Sequence, residues 1–350
     1  MDTFTFSKSF LNEKRNIGDP LADALIAYAF ADVERKKELF DWMNGLSTNQ
    51  DLQNVSPEKQ TLVASIVSLP NWVDEKQMKQ GAAFFGNHAA EIMNLLGLLS
   101  LPYCYTAANG AMVLYLSARM RNDAPKRLKE TADFVWAIMS PVAFTKQGNG
   151  FVALLKVRLM HAAVRHYTYL NTAWKTGEYG VPINQEDMAG TNLSFSFIVI
   201  KGLRKLGYIL NQKEKLSFMH LWNVIGNSMG VEQALLPNDL KQAVLLESAI
   251  KSDQFKPSTH GKELTASLIE HIKKTAGPKI DTAEITGLMN HLLGDEVAQM
   301  LGINAIKLAD YKLSLLKVNS FFKEISLNDD PMFNYNAAFR AYQKQISITN

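Results

Sequence analysis

The chain has 350 residues, 47% of them hydrophobic and 20% charged, with 20 glycines and 11 prolines, a composition that excludes disordered and fibrous classes. Its single cysteine, Cys104, excludes an intramolecular disulfide, a cysteine zinc site and an iron–sulfur cluster, which leaves seven histidines as the metal-capable inventory. The formal charge of +3 is scattered among acids without a basic block, so nucleic acid is not an expected partner.

In chain order, the N-terminus has no charged stretch followed by an apolar run, and the expected location is cytoplasmic. Residues 1–60 are polar and charged, with Glu34-Arg35-Lys36-Lys37-Glu38 and Ser47-Thr48-Asn49-Gln50-Asp51, and read as a helical extension outside the core. The apolar load rises from Leu62, and 61–325 is the expected main domain, with 326–350 as a C-terminal tail or helix. The most apolar stretch, 92–116, is interrupted by Asn94, Ser100, Pro102, Thr106 and Asn109 before the roughly 18–20 residues a membrane span needs. A buried helix pair flanking Pro102 is expected there, and membrane association is possible but not indicated. Asp123 is placed to cap a helix over 126–139 that carries Pro125 in its first turn. Gln147-Gly148-Asn149-Gly150 is a turn. Beyond it the pattern predicts helices over 151–170, 191–206, 222–229 and 238–251, a loop over 177–187 and a polar linker over 256–262. Helical periodicity dominates throughout, so the class is all-α.

The helix over 151–170 is apolar nearly all round, which predicts a central position. Arg158, His161 and Arg165 are set into it at spacings of three and four, on one face, with each arginine about one turn from the histidine. Two buried guanidiniums are expensive unless anions meet them. Haem b satisfies such a set, because its iron takes an axial histidine and its propionates take arginines. A hydrogen-bonded core histidine, with the arginines paired to carboxylates such as Glu186 or Asp187, satisfies it equally well.

Other chemistries lack their motifs. No H-E-x-x-H, C-x-x-C-H, G-x-G-x-x-G or P-loop occurs. One G-x-S-x-G match, Gly226-Asn227-Ser228-Met229-Gly230, follows a helical pattern instead of the strand a nucleophile elbow needs. It reads as a helix packing or ending on small residues.

Val157-Arg158-Leu159-Met160-His161-Ala162-Ala163-Val164-Arg165-His166 resembles the signature of the family of bacterial latex clearing proteins (rubber oxygenases) and fungal mycophenolic-acid-pathway oxygenases. Ser100-Leu101-Pro102-Tyr103, Gly110-Ala111-Met112-Val113-Leu114, Arg127-Leu128-Lys129-Glu130-Thr131, Gly180-Val181-Pro182-Ile183-Asn184-Gln185-Glu186-Asp187 and Leu235-Leu236-Pro237 follow in the family's order, over about residues 65 to 260. The resemblance implies a globin-like helical core with added N- and C-terminal helices. It implies His161 as proximal ligand of haem b iron, Arg158 and Arg165 as haem-holding arginines, and Arg127 with Thr131 on the distal side. Glu130 stands where rubber oxygenases carry an iron-capping lysine, and is a candidate weak iron ligand, a proton donor, or simply an exposed residue. Ala111 stands where they carry a glutamate base and cannot do that work.

The implied function is a haem b-dependent oxygenase using O2 or peroxide on a hydrophobic organic substrate, unsaturated ones included. The alternative is a haem-binding sensor or carrier without catalysis, and a third reading is a helical interaction protein without haem. Aromatic and methionine residues over 84–105 and 195–197 are candidate cavity lining. His88 is the second-choice histidine, while His166 points to a different face of the helix from His161.

Overall fold

The computed structural model describes residues 6–117, 124–276, 281–304, 328 and 330–349. Among these the chain is helical, with one isolated antiparallel bridge, Ala107 to Phe255, and no strand. No helix among them is long and apolar enough to cross a membrane.

Three helices open the chain: α1 (Lys8–Lys14), α2 (Pro20–Phe30) and α3 (Val33–Gly45). Each starts at a side chain that accepts a first-turn N–H, Ser7 from Phe10, Asp19 from Ala22 and Asp32 from Arg35. They are not peripheral, contrary to expectation. Leu11, Ala22, Leu25, Ile26 and Ala29 are buried in the same apolar cluster as Phe85, Leu155 and Val199. The reason is local: α2 carries a single charge, Asp23, in eleven residues. The charge that makes the region look external belongs to α3 and its flanks.

Helices α4 (Pro57–Val67) and α5 (Glu75–Asn87) lead into one continuous rod built of α6 (Ala89–Leu95), a π-helical turn (Leu96–Ser100) and α7 (Leu101–Thr106). Pro102 has no N–H and its ring would meet the carbonyl four residues back. The chain meets this by widening the preceding turn, where Leu101 N–H donates five residues back to Leu96. α8 (Ala108–Leu116) follows, and α9 spans Ala124–Met139; the cap expected at Asp123 lies outside the described residues.

The central helix, α10 (Gly150–Tyr169), packs along α2 and against α9. After the short α11 (Thr176–Tyr179), the helix expected over 191–206 is two, α12 (Gln185–Phe195) and α13 (Phe197–Lys205). They break at Ser196, whose hydroxyl donates to the Asn192 carbonyl at 2.7 Å and so competes with the backbone ladder. α14 (Gln212–Ser228) and α15 (Leu240–Gln254) are longer than their apolar patches suggest. The expected polar linker is mostly the start of α16 (Thr259–Ala276), and Lys256 N–H donates to the Thr106 carbonyl at 3.1 Å.

α17 (Thr282–Leu293), α18 (Asp295–Met300) and α19 (Pro331–Thr349) complete the described chain. α19 docks on α5, with the Tyr335 hydroxyl donating to the Trp136 carbonyl at 2.6 Å and Phe339 packed 5.1 Å from the Trp136 ring.

Candidate active site

His161 sits mid-way along α10, partly buried, with Nδ1 enclosed and without a hydrogen-bond partner. Burial, with the Arg165 and Arg127 guanidiniums adding to it, pushes its pKa down to about 3. The imidazole is therefore neutral at pH 7, the form in which histidine ligates a metal. His166 lies elsewhere, edge-on to Phe30 at 5.3 Å.

Arg158 and Arg165 are both buried, as expected, and the anions that meet them come from α2. Arg158 Nε donates to Asp19 Oδ2 at 2.5 Å and Nη2 to Asp19 Oδ1 at 2.9 Å, while Nη1 donates to Ser65 Oγ at 2.9 Å and the Ser228 carbonyl at 3.2 Å. Arg165 Nε donates to Asp23 Oδ1 at 2.6 Å and Nη1 to the Ile183 carbonyl at 3.2 Å, while its Nη2 is buried with no partner. Arg158 thus has all its nitrogens committed within the protein, whereas Arg165 keeps one without a partner. Glu186 and Asp187 are not the partners, because both accept from Arg15 Nη1, at 2.9 and 3.1 Å.

The Gly180–Asp187 motif clamps the segment that delivers these aspartates. Val181 N–H donates to the Arg15 carbonyl and Gln185 N–H to that of Ile17, each at 2.9 Å, and Gln185 Nε2 reaches the Gly18 carbonyl at 2.9 Å. Gly180 has φ +78°, and a Cβ there would lie 2.7 Å from the Arg15 carbonyl oxygen. Ile183 takes φ +51°, a costly conformation for a β-branched residue, and its carbonyl is the one that receives Arg165. Asn184 caps α12 by accepting from Asp187 N–H.

Arg127 and Thr131 line one small cavity of about 60 Å³ together with Leu101, Tyr105, Leu264 and Leu268, and His161 is not among its lining residues. Their four-residue spacing on α9 places them on one face. The Thr131 hydroxyl donates to the Arg127 carbonyl at 3.0 Å. Glu130 is exposed and does not line the cavity, because one residue earlier on a helix points it about 100° away from Thr131. Of the expected aromatic lining only Tyr105 reaches this cavity; Phe84, Phe195 and Phe197 are core. His88 packs 4.8 Å from Phe84 and 5.4 Å from Tyr208, away from the cavity, and burial holds it below the usual histidine range.

The G-x-S-x-G match is the C-terminus of α14. Ser228 Oγ donates to the Ile66 carbonyl at 3.0 Å, and Gly230, at φ +87°, ends the helix.

Among the described residues no three metal-ligating side chains converge. His161, neutral and with an unpartnered nitrogen, and Arg165, with an unpartnered Nη2, fit the ligand and carboxylate demands of a haem. Asp19 and Asp23 are the site residues that sequence reasoning missed. Two signals point to them: Asp19-Pro20 is a helix start, and Asp23 is the lone charge of an apolar helix.

The fold is that of an all-α helical domain. Residues 76–314 match the model of ER-bound oxygenase mpaB/B'/Rubber oxygenase, catalytic domain, and the chain belongs to that family. The rubber oxygenase of Streptomyces sp. (strain K30) is 25% identical over 238 residues, an alignment covering 67% of this chain and 58% of that protein. The chain thus spans little more than half the length of that relative. The solved structure of latex clearing protein LCP in the closed state superposes with a TM-score of 0.74 at 21% identity, over 93% of this chain and 90% of that one, and shares the all-α fold.

Proposed function

We propose that this protein is a haem b-dependent oxygenase that oxidises a hydrophobic organic substrate with O2 or peroxide. The observation that carries the reading is His161, a neutral imidazole with an unpartnered nitrogen on the central helix and under the electrostatic influence of Arg127. Bound haem would supply the oxygen chemistry that no side chain here can supply. His161 would hold the iron, and Arg165 Nη2 would meet one propionate. Arg127 brings a cation to the cavity wall, where it would stabilise negative charge developing on a substrate oxygen. The Thr131 hydroxyl has its proton committed to the Arg127 carbonyl, so its lone pairs are left to accept a proton from water or ligand. Leu101, Leu264 and Leu268 give the cavity an apolar wall.

Purified full-length protein supplemented with haem should show a Soret band that moves with carbon monoxide. His161→Ala should lose the band, and an unchanged spectrum in that variant refutes the ligand assignment. Oxygen uptake with unsaturated lipids and isoprenoids then tests the oxygenase reading. One observation favours the non-catalytic alternative, since a cavity of about 60 Å³ is well below the roughly 300–1,000 Å³ of ordinary ligand pockets. An imidazole- and carbon monoxide-resistant, six-coordinate spectrum would support a sensor or carrier.

A further inference from the structure

We infer that Asp19 and Asp23, which lie before the region matched by the family model, are positioning residues of the haem site that set the charge on both sides of His161. The inference rests on the haem reading above. Its ground is the geometry of four buried or half-buried groups. Asp19 is 2% exposed and Arg158 4% exposed, and two near-parallel hydrogen bonds of 2.5 and 2.9 Å join them, the bidentate arrangement that fixes a guanidinium most firmly. Asp23 holds Arg165 through Oδ1 at 2.6 Å, and its Oδ2 accepts the backbone N–H of Asp19 at 3.2 Å. The Asp23 carboxylate is thereby tied to the backbone of the capping residue Asp19 at the start of α2, and the two arginines are held by the two carboxylates from the facing helix.

Without these aspartates, two guanidiniums would sit within about one helical turn of His161 with no compensating charge in apolar surroundings. Positive charge on an iron held by His161 would then be disfavoured. With them, Arg158 is neutralised outright. Arg165 is held by one carboxylate oxygen, and its Nη2 is left for a single anionic group. The two arginines therefore have different work: Arg158 fastens α10 to α2, and Arg165 is positioned to donate. The strained Ile183 carbonyl, 3.2 Å from Arg165 Nη1, aims the same guanidinium from the other side.

The test is a potentiometric titration of the haem-loaded full chain, comparing wild type with Asp23→Asn, Asp23→Glu and Asp19→Asn. The Asp23 side chain is 37% exposed, so its variants keep the test decisive even where Asp19→Asn fails to fold. Removing the carboxylate charge should move the midpoint potential in the positive direction, because reduction lowers the charge on the iron. Asp23→Glu should return it toward the wild-type value, which a purely structural role would not require. Coincident potentials for wild type and Asp23→Asn, in proteins that both take up haem, overturn the inference alone. A wild-type chain that takes up no haem overturns the reading on which it rests.

Discussion

Glu186 is fully buried, with one carboxylate oxygen 2.9 Å from Arg15 and the other without a partner. Burial outweighs the arginine and raises its pKa from 4.5 to about 7. Between those values the folded protein keeps a proton that the unfolded chain has released, so this group's stabilising contribution is present below pH 4.5 and lost as pH rises through 7. His161 works in the opposite sense, because its pKa falls on folding from 6.5 to about 3 and its contribution is lost on acidification. The expected outcome is therefore read as a difference: across pH 5 to 8, wild type should lose stability relative to Glu186→Gln in denaturant titrations. Parallel pH profiles for the two proteins would show that Glu186 is ionised when folded. At this scale the sequence speaks clearly about His161 and its arginines, since helical spacing alone puts them together. It is silent about their partners, because nothing local ties Asp19 to a residue 139 positions away.

Elements end where backbone chemistry requires, and α14 ends at a residue that also touches the site. Val231 N–H donates back to the Gly226 carbonyl at 2.9 Å, a Schellman closure with Gly230 in the left-handed position. A Cβ at Gly230 would lie 3.0 Å from Arg158 Nη2. Gly230→Ala should therefore cost about 1–2 kcal/mol for the left-handed backbone, plus whatever is lost by displacing Arg158 from Asp19. A thermal melt should show the loss, and an unchanged melting temperature would mean the turn relaxes freely. Helix existence was legible here, but two element-scale features were not. The G-x-S-x-G spacing is shared by unrelated structures, and only the helical pattern before it separates a helix end from a nucleophile elbow. The break at Ser196 is invisible because the apolar run continues across it, and a hydroxyl bond back to Asn192 leaves no trace in hydrophobic pattern.

For the molecule as a whole, the all-α class follows from periodicity, while the boundary expected at residue 60 does not survive packing. One apolar cluster runs from Phe6 to Ala338, and averaging composition over sixty residues merged the apolar α2 with the charged α3. The consequence is a demanding test of what the catalytic region needs. A chain beginning at residue 61 would lose Asp19 and Asp23 and leave Arg158 and Arg165 buried without their carboxylates. Breaking one such pair typically costs about 3–5 kcal/mol, against a total stability of roughly 5–15 kcal/mol for an ordinary domain. It would also expose the faces that Leu25, Ile26 and Ala29 cover. Residues 61–350 alone should therefore show reduced helical circular dichroism, no cooperative melt and early elution or aggregation on size exclusion, even though the segment contains the whole matched region 76–314. A truncated chain that melts cooperatively with wild-type helicity would mean that α10 finds other partners for its arginines, and that the first helices are an accessory to this fold instead of a part of it.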